Sequence, residues 1–321
     1  MTIDPDADTG NWPAHGREAA QPHRFSSLVR VEVAALSHPG KVRPNNEDHY
    51  IVGRLGRYLD VLLTNLPDGE APGRSEETGY GFVVADGMGG AQAGEVASRL
   101  AITTLVNLVL EVPDWIMRMD DNRAQETMER VAQHTRSVDA EIGRRARENR
   151  KLSGMGTTMT LAYSLGAQLF VVQIGDSRAY LLRKNRLQRL TQDQTFVQTL
   201  LDLGQIGPEQ AAAHPLRHVL TQALGGHGRD LKAEVERLVL ADGDCLMLCT
   251  DGLTEMVPDD MIATVLQRTA GAEANCRALV DLALERGGRD NVTVIVARYK
   301  FPSQSTTQES SSRGATQDQG G

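Results

Sequence analysis

Residues 157–185, "TTMTLAYSLGAQLFVVQIGDSRAYLLRKN", hold three short β-rich runs separated by turn signals at Gly166 and at Gly175–Ser177. Runs of this length with such short breaks predict antiparallel pairing. Upstream, "LVRVEVAAL" (28–36) and "GYGFVVAD" (79–86) read as strands, and "GEVASRLAITTLVNLVLE" (94–111) places apolar residues at helical spacing. A second helix is predicted over roughly 122–149. Downstream, 194–215 reads as two short helices, with Gly204 as a C-terminal stop and Pro208 at a helix start. The strand "DCLMLCTD" (244–251), helices near 258–267 and 273–286, and the strand "NVTVIVARY" (291–299) complete the pattern. Strands and helices come in blocks, which predicts an α+β fold with helices packed on antiparallel sheets.

The 321 residues are enough for one sizeable core with extensions. A net charge of −8 with 4% aromatics offers neither a basic phosphate-tracking stripe nor a stacking platform, so nucleic acid is not an expected partner. The start lacks the charged-then-apolar pattern of a signal peptide, and no apolar run reads as long enough to cross a bilayer; a cytoplasmic protein without membrane contact is expected. Cys245, Cys249 and Cys276 have no second ligand pair at zinc spacing and read as core thiols. Residues 1–27 read as a flexible arm, 28–300 as the folded domain, and the low-complexity 301–321 as a disordered tail.

Three apolar runs end on aspartate, at Asp86, Asp176 and Asp251, and a fourth begins just after Asp290. One such Asp is an ordinary turn residue. Four on neighbouring strands would form a rim of carboxylates that repel one another unless a cation holds them. An oxygen-only donor set favours Mg²⁺ or Mn²⁺ over zinc or copper. Two such ions sharing a carboxylate can activate water and neutralise a phosphoryl group, and Arg43 has the planar fork that phosphate fits. The rival reading of "DGMGGAQAGEVAS" (86–98), a nucleotide-cradling loop, fits neither glycine-rich fingerprint.

In order, "VRPNNED" (42–48), "VVADGMGG" (83–90), "GMGTT" (154–158), "IGDSRAYLLR" (174–183), "TQDQTFVQTLLDLGQI" (191–206), "CTDGLTE" (249–255) and "GGRDNVTVIV" (287–296) resemble the metal-dependent Ser/Thr protein phosphatases of type 2C in their bacterial form. The resemblance implies a central β-sandwich of two antiparallel sheets flanked by helices in four α-β-β-α layers, with two metal ions, Mn²⁺ or Mg²⁺, at one end. It implies that Asp86 bridges both ions, with Asp251 and Asp290 on the first and the Gly87 carbonyl on the second. Asp48 and Glu47 would serve the second mostly through water, Asp176 with Asp251 and Glu255 would match a weaker third-ion site, and Arg43 would hold the substrate phosphate. The implied activity is hydrolysis of phosphoserine and phosphothreonine in proteins, Ser/Thr kinases among them, by a monomer. Residues 192–225 match the family's mobile flap. Two departures stand out. Met88 occupies the position where many relatives have a proton-donating His, and 54–79 is longer than a tight hairpin, which predicts an extended β-hairpin. His49 is assigned no role, and Thr157 and Thr158 read as locally bonded strand residues.

Overall fold

The structure is a computed structural model that describes residues 28–67, 70, 74–89, 93–111, 124–225, 231–268 and 270–302. The expected arm at 1–27 and nearly all of the expected tail at 301–321 lie outside the described residues. In chain order the elements begin with β1 (Arg30–His38), β2 (Asp48–Asp60), β3 (Arg74–Met88), α1 (Ala93–Glu111) and α2 (Ala124–Glu148). Next come β4 (Gly156–Thr157), β5 (Met159–Leu165), β6 (Gln168–Ile174), β7 (Arg178–Arg183), β8 (Arg186–Arg189), α3 (Phe196–Asp202) and α4 (Pro208–Ala212). The chain closes with β9 (Glu234–Val239), β10 (Cys245–Cys249), α5 (Asp251–Thr254), α6 (Asp259–Gln267), α7 (Ala272–Glu285) and β11 (Val292–Lys300).

Among the described residues the strands form two antiparallel sheets. One runs β1-β11-β10-β7-β8, the other β2-β3-β5-β6-β9, with β4 paired to β3. The strand β10, "CLMLC", shows why helices must cover the outside. Successive side chains point to opposite faces. Leu246 and Leu248 face Phe82, Val84, Leu169 and Val171 across the sandwich interior, while Cys245, Met247 and Cys249 pack against α6 and α7 through Ile262, Val265, Leu279 and Val280. Every residue of β10 is buried, so neither face meets water. On the opposite sheet, Val83 and Ala85 of β3 pack with Ala97, Ala101 and Leu105 of α1 and with Val138 and Ile142 of α2. The layers are therefore α-β-β-α, the α+β sandwich that the resemblance implied.

The three runs of 157–185 behave less simply than expected. β5 and β6 pair with each other, but β7 pairs with β10 and β8 in the other sheet. The turn at Gly175–Ser177 carries the chain across the sandwich. Gly175 has φ +98° and packs so tightly on Thr158 that a Cβ would lie 2.6 Å from its Cγ2, a backbone position open to glycine. The expected hairpin is present, with β2 and β3 in register from Asp48↔Asp86 out to Asp60↔Arg74. One expectation is corrected. α1 is long and apolar enough to cross a membrane by length and composition, whereas the sequence reading found no such run. Its apolar stripe Ala93, Ala97, Ala101, Ile102 and Leu105 is buried against β3 and α2, as in a core helix. The three cysteines are buried and free.

Candidate metal centre

The register of β2 against β3 sets Asp48 directly opposite Asp86. Like charges so placed destabilise a sheet unless something offsets them. From the other sheet, β10 passes through Thr250 into α5, whose first residue is Asp251, and Asp290 stands two residues before β11. Asp176 sits in the cross-sheet turn after β6. Both sheets thus deliver carboxylates to one end of the sandwich.

Arg43, Glu47, Asp86, Gly87, Asp176, Asp251 and Asp290 line one cleft of about 1000 Å³. Asp48 is the exception among the sequence candidates. It lies beneath the floor, 4% exposed, where its Oδ2 accepts hydrogen bonds from Thr250 Oγ1 at 2.8 Å and Thr293 Oγ1 at 2.7 Å. Its Oδ1, and Oδ1 of Asp251, are buried with no hydrogen-bond partner among the described residues. Such atoms are rare because each forfeits hydration without return.

The proton affinities follow from this crowding. Burial first, then Asp48, Asp251, Asp176 and Asp290, hold Asp86 well above the usual carboxylate range. Burial raises Asp48 to about 7 against the two threonine hydroxyls, with Asp251 and Asp290 adding to the rise. Asp251 is raised to about 6 by burial, Glu255 and Asp290. Asp176 is raised by burial and by Asp251 and Asp193, and Glu47 by burial against the pull of Arg43. Ionising these carboxylates together is costly without a further counter-charge. A hard divalent cation with oxygen ligands fits the donor set and the unpartnered oxygens.

Backbone bonds fix these side chains in place. Asp86 N–H donates to Thr158 Oγ1 at 3.1 Å, and Asp86 O accepts from Thr158 N at 2.9 Å and Thr157 Oγ1 at 2.8 Å. The two threonines, expected to bond locally, instead reach 71 and 72 residues back along the chain and brace Asp86. Asn291, which sequence reading passed over, ties the 39–47 loop down. Its Oδ1 accepts from Glu47 N at 2.7 Å, and its Nδ2 donates to the carbonyls of Pro39 and Asn45. Arg43, with a side chain 57% exposed, donates from Nη2 to Asp290 Oδ2 at 2.6 Å. Gly252, directly after Asp251, lies so close to the residue before β11 that a Cβ would fall 1.9 Å from Asn291 O. Gly252→Ala is therefore expected to cost at least the roughly 1–3 kcal/mol of an overpacked core, read as a lowered midpoint in denaturant unfolding.

Residues 192–225 form α3, α4 and a return segment that borders the cleft and makes isolated bridges from Leu220 to Thr195 and from Leu224 to Thr157. Phe196 N donates to Val219 O at 2.8 Å and Thr221 N to Gln194 O at 2.8 Å. Leu224 and Thr157 exchange two backbone bonds at 2.9 and 3.0 Å, and Gly225 N donates to Asp139 Oδ1 at 2.7 Å. Residues 218–223 line the cleft from this segment. His218 Nδ1 lies 2.6 Å from Glu255 Oε1, and one donor atom each of His218, Asp251 and Glu255 falls within 4.8 Å of the others. Burial and the charge of Arg217 lower the His218 pKa, opposed by Asp251 and Asp290. Nothing around His218 in the sequence marks it, because its partner is 37 residues further on, 255 minus 218. His49, assigned no role, is half-buried, with Nδ1 2.9 Å from Ser98 Oγ of α1.

The protein phosphatase 2C family profile matches residues 71–284. The serine/threonine protein phosphatase PstP of Mycobacterium tuberculosis is 39% identical over 267 residues, 83% of this chain, and the chain spans 45% of that relative's length. The serine/threonine phosphatase stp of Listeria monocytogenes is 36% identical over 216 residues, 67% of this chain and 82% of that protein. Among solved structures, the M. tuberculosis serine/threonine phosphatase PstP/Ppp matches with TM-score 0.68 and 36% identity, covering 85% of this chain and 100% of that one. The PstP catalytic domain in complex with two manganese ions matches with TM-score 0.66 and 34% identity, covering 85% of this chain and 99% of that one.

Proposed function

The chain belongs to the protein phosphatase 2C family, and from that premise we propose that it hydrolyses phosphoserine and phosphothreonine in proteins with the help of two divalent cations, Mn²⁺ or Mg²⁺. One observation carries the reading. Buried carboxylates from both sheets converge with two unpartnered oxygens, beside an arginine that faces the same cleft. The relatives named as serine/threonine phosphatases, and the manganese-containing PstP domain, support it.

Asp86, which feels the charges of Asp48, Asp251, Asp176 and Asp290, would contact both ions, with Asp251 and Asp290 on one and the Gly87 carbonyl on the other. Glu47 and Asp48 would hold the water shell of the second ion, Asp48 from beneath, and Asp176 with Asp251 would take a weaker third. When bound, the ions neutralise phosphoryl charge and lower the pKa of water. Gly87 has no side chain because none fits; a Cβ there would lie 2.1 Å from Gly94 O and 2.8 Å from Glu47 O. Arg43 would exchange its bond to Asp290 for a bidentate grip on substrate phosphate, which orients the phosphorus for attack. Residues 218–223 border the cleft and would flank an entering phosphorylated side chain. Phosphorylated proteins, Ser/Thr kinases among them, are the proposed substrates of a monomer.

Phosphate release from a phosphothreonine peptide, measured with Mn²⁺ and again with excess chelator, tests the reading. Release that persists under chelation sinks the metal assignment, and no release with either ion sinks the activity.

A further inference from the structure

Cleavage of a serine or threonine phosphate expels an alkoxide, which leaves readily only if a proton reaches it as the bond breaks. The phosphatase reading, on which this inference rests, names no donor. The groups lining the cleft narrow the choice. Asp86, Asp176, Asp251, Asp290 and Glu47 are committed to cations, and Met88 has no proton to give. Arg43 and Arg289 carry guanidinium groups, which donate hydrogen bonds but do not serve as acids. Asp139 is engaged by the amide of Gly225. Glu255, which also lines the cleft, is taken up by Nδ1 of His218, and among the described lining residues this leaves the imidazole of His218 as the side chain able to pass on a proton.

Its setting is more built than that of a surface histidine. Asp251 and Glu255 are four residues apart at the start and cap of α5, on one face of that turn. Glu255 therefore presents its carboxylate beside the candidate centre and holds Nδ1 at 2.6 Å. The next residue, Val219, is pinned to α3 by the bond from Phe196 N. With Nδ1–H donated to Glu255, Nε2 is the nitrogen free to serve the cleft. An exposed His–Glu pair would contribute little to stability, and a carboxylate that fixes one imidazole nitrogen is the arrangement that orients the other for proton transfer.

We propose that His218, oriented by Glu255, is the general acid that protonates the leaving serine or threonine oxygen. As water bonds to phosphorus, the P–Oγ bond breaks, its electron pair goes to Oγ, and the Nε2 proton of the imidazolium passes to that oxygen. The neutral imidazole keeps Nδ1–H on Glu255 and regains a proton from solvent. The products are the free hydroxyl and inorganic phosphate.

Leaving-group dependence tests this in the full chain with Mn²⁺. Nitrophenolate departs from p-nitrophenyl phosphate without a proton, whereas an alkoxide does not. His218→Gln is expected to lower kcat on a phosphothreonine peptide by roughly 10²–10³-fold and to change kcat on p-nitrophenyl phosphate by less than about 3-fold. Glu255→Gln, which keeps an acceptor for Nδ1–H, should give a smaller loss with the same selectivity. If His218→Gln does not fold, by thermal unfolding and Mn²⁺ calorimetry, the Glu255→Gln selectivity decides alone. Equal losses on both substrates, or no loss on the peptide, overturn the proposal while wild-type turnover keeps the phosphatase reading. A wild-type chain inert on both substrates overturns both.

Discussion

Asp86→Asn is expected to lower kcat on a phosphothreonine peptide by roughly 10³-fold or more while leaving the metal-free protein at least as stable as the parent. The loss follows from the position of Asp86 among Asp48, Asp176, Asp251 and Asp290, each of which perturbs it. An amide there removes one charge from whatever cation is held, and several kcal/mol of transition-state stabilisation correspond to about three powers of ten. The stability half of the expectation has the opposite origin. A buried carboxylate with a raised pKa opposes folding when it is ionised, and Asn removes that cost while its backbone bonds to Thr157 and Thr158 remain. Parallel assays of phosphate release and thermal unfolding in chelator check both halves. Full activity in Asp86→Asn would remove Asp86 from the reaction, and a large loss of metal-free stability would show that its carboxylate holds the fold together.

The metal-free chain is expected to lose stability as pH rises from about 4 to about 7, and Mn²⁺ is expected to restore it. Asp48 is raised to about 7 and Asp251 to about 6 in the folded state, against about 3.9 in an unfolded chain. Between those values the folded state binds more protons than the unfolded one, so stability falls as pH rises. The contribution is fully present below the unfolded value and is lost as pH passes the folded values. A cation replaces the missing protons and removes the slope. At one hundred times its dissociation constant a single ion adds about 2.7 kcal/mol, which in a domain of this size is a rise in Tm of roughly 5–10 °C. Thermal scans at several pH values, with chelator and with Mn²⁺, check it. A flat chelator profile would show that the crowding is relieved some other way.

Much of this was written in the chain where local chemistry decides it. Apolar runs that stop on Asp176 and Asp251 declare both a strand end and a charge, whereas β3 continues two residues past Asp86 by pairing with β4, and Gly204 and Pro208 bracket the break between α3 and α4 as expected. What depends on long-range packing was not legible. No local pattern says that β7 leaves its neighbour β6 to join β10, because the choice lies in which inner faces interlock. Nor does it say that Asp48 sinks beneath the floor rather than lining it, since that follows from two threonine hydroxyls 202 and 245 residues away. The apolar character of α1 is local and its burial is not, which is why its length alone misleads. His218 lacked any signal until folding brought Glu255 to it.

The carboxylates of the cleft come from both halves of the sandwich, and the link beneath them, from Asp48 on β2 to Thr250 and Thr293 beside β10 and in β11, crosses the same gap. A bound cation would therefore act as a clasp at one end of two sheets that are joined elsewhere by apolar packing and by bonds such as Tyr299 Oη to Ser164 Oγ and Arg183 Nη2 to Val239 O. Local opening there cannot be confined to one sheet, because freeing either side releases the other. Amide hydrogen exchange should then show the Asp86, Thr158, Thr250 and Thr293 amides as one cooperative unit, slowing together when metal is added. The rhythm of that opening would set how often the cleft can empty and refill.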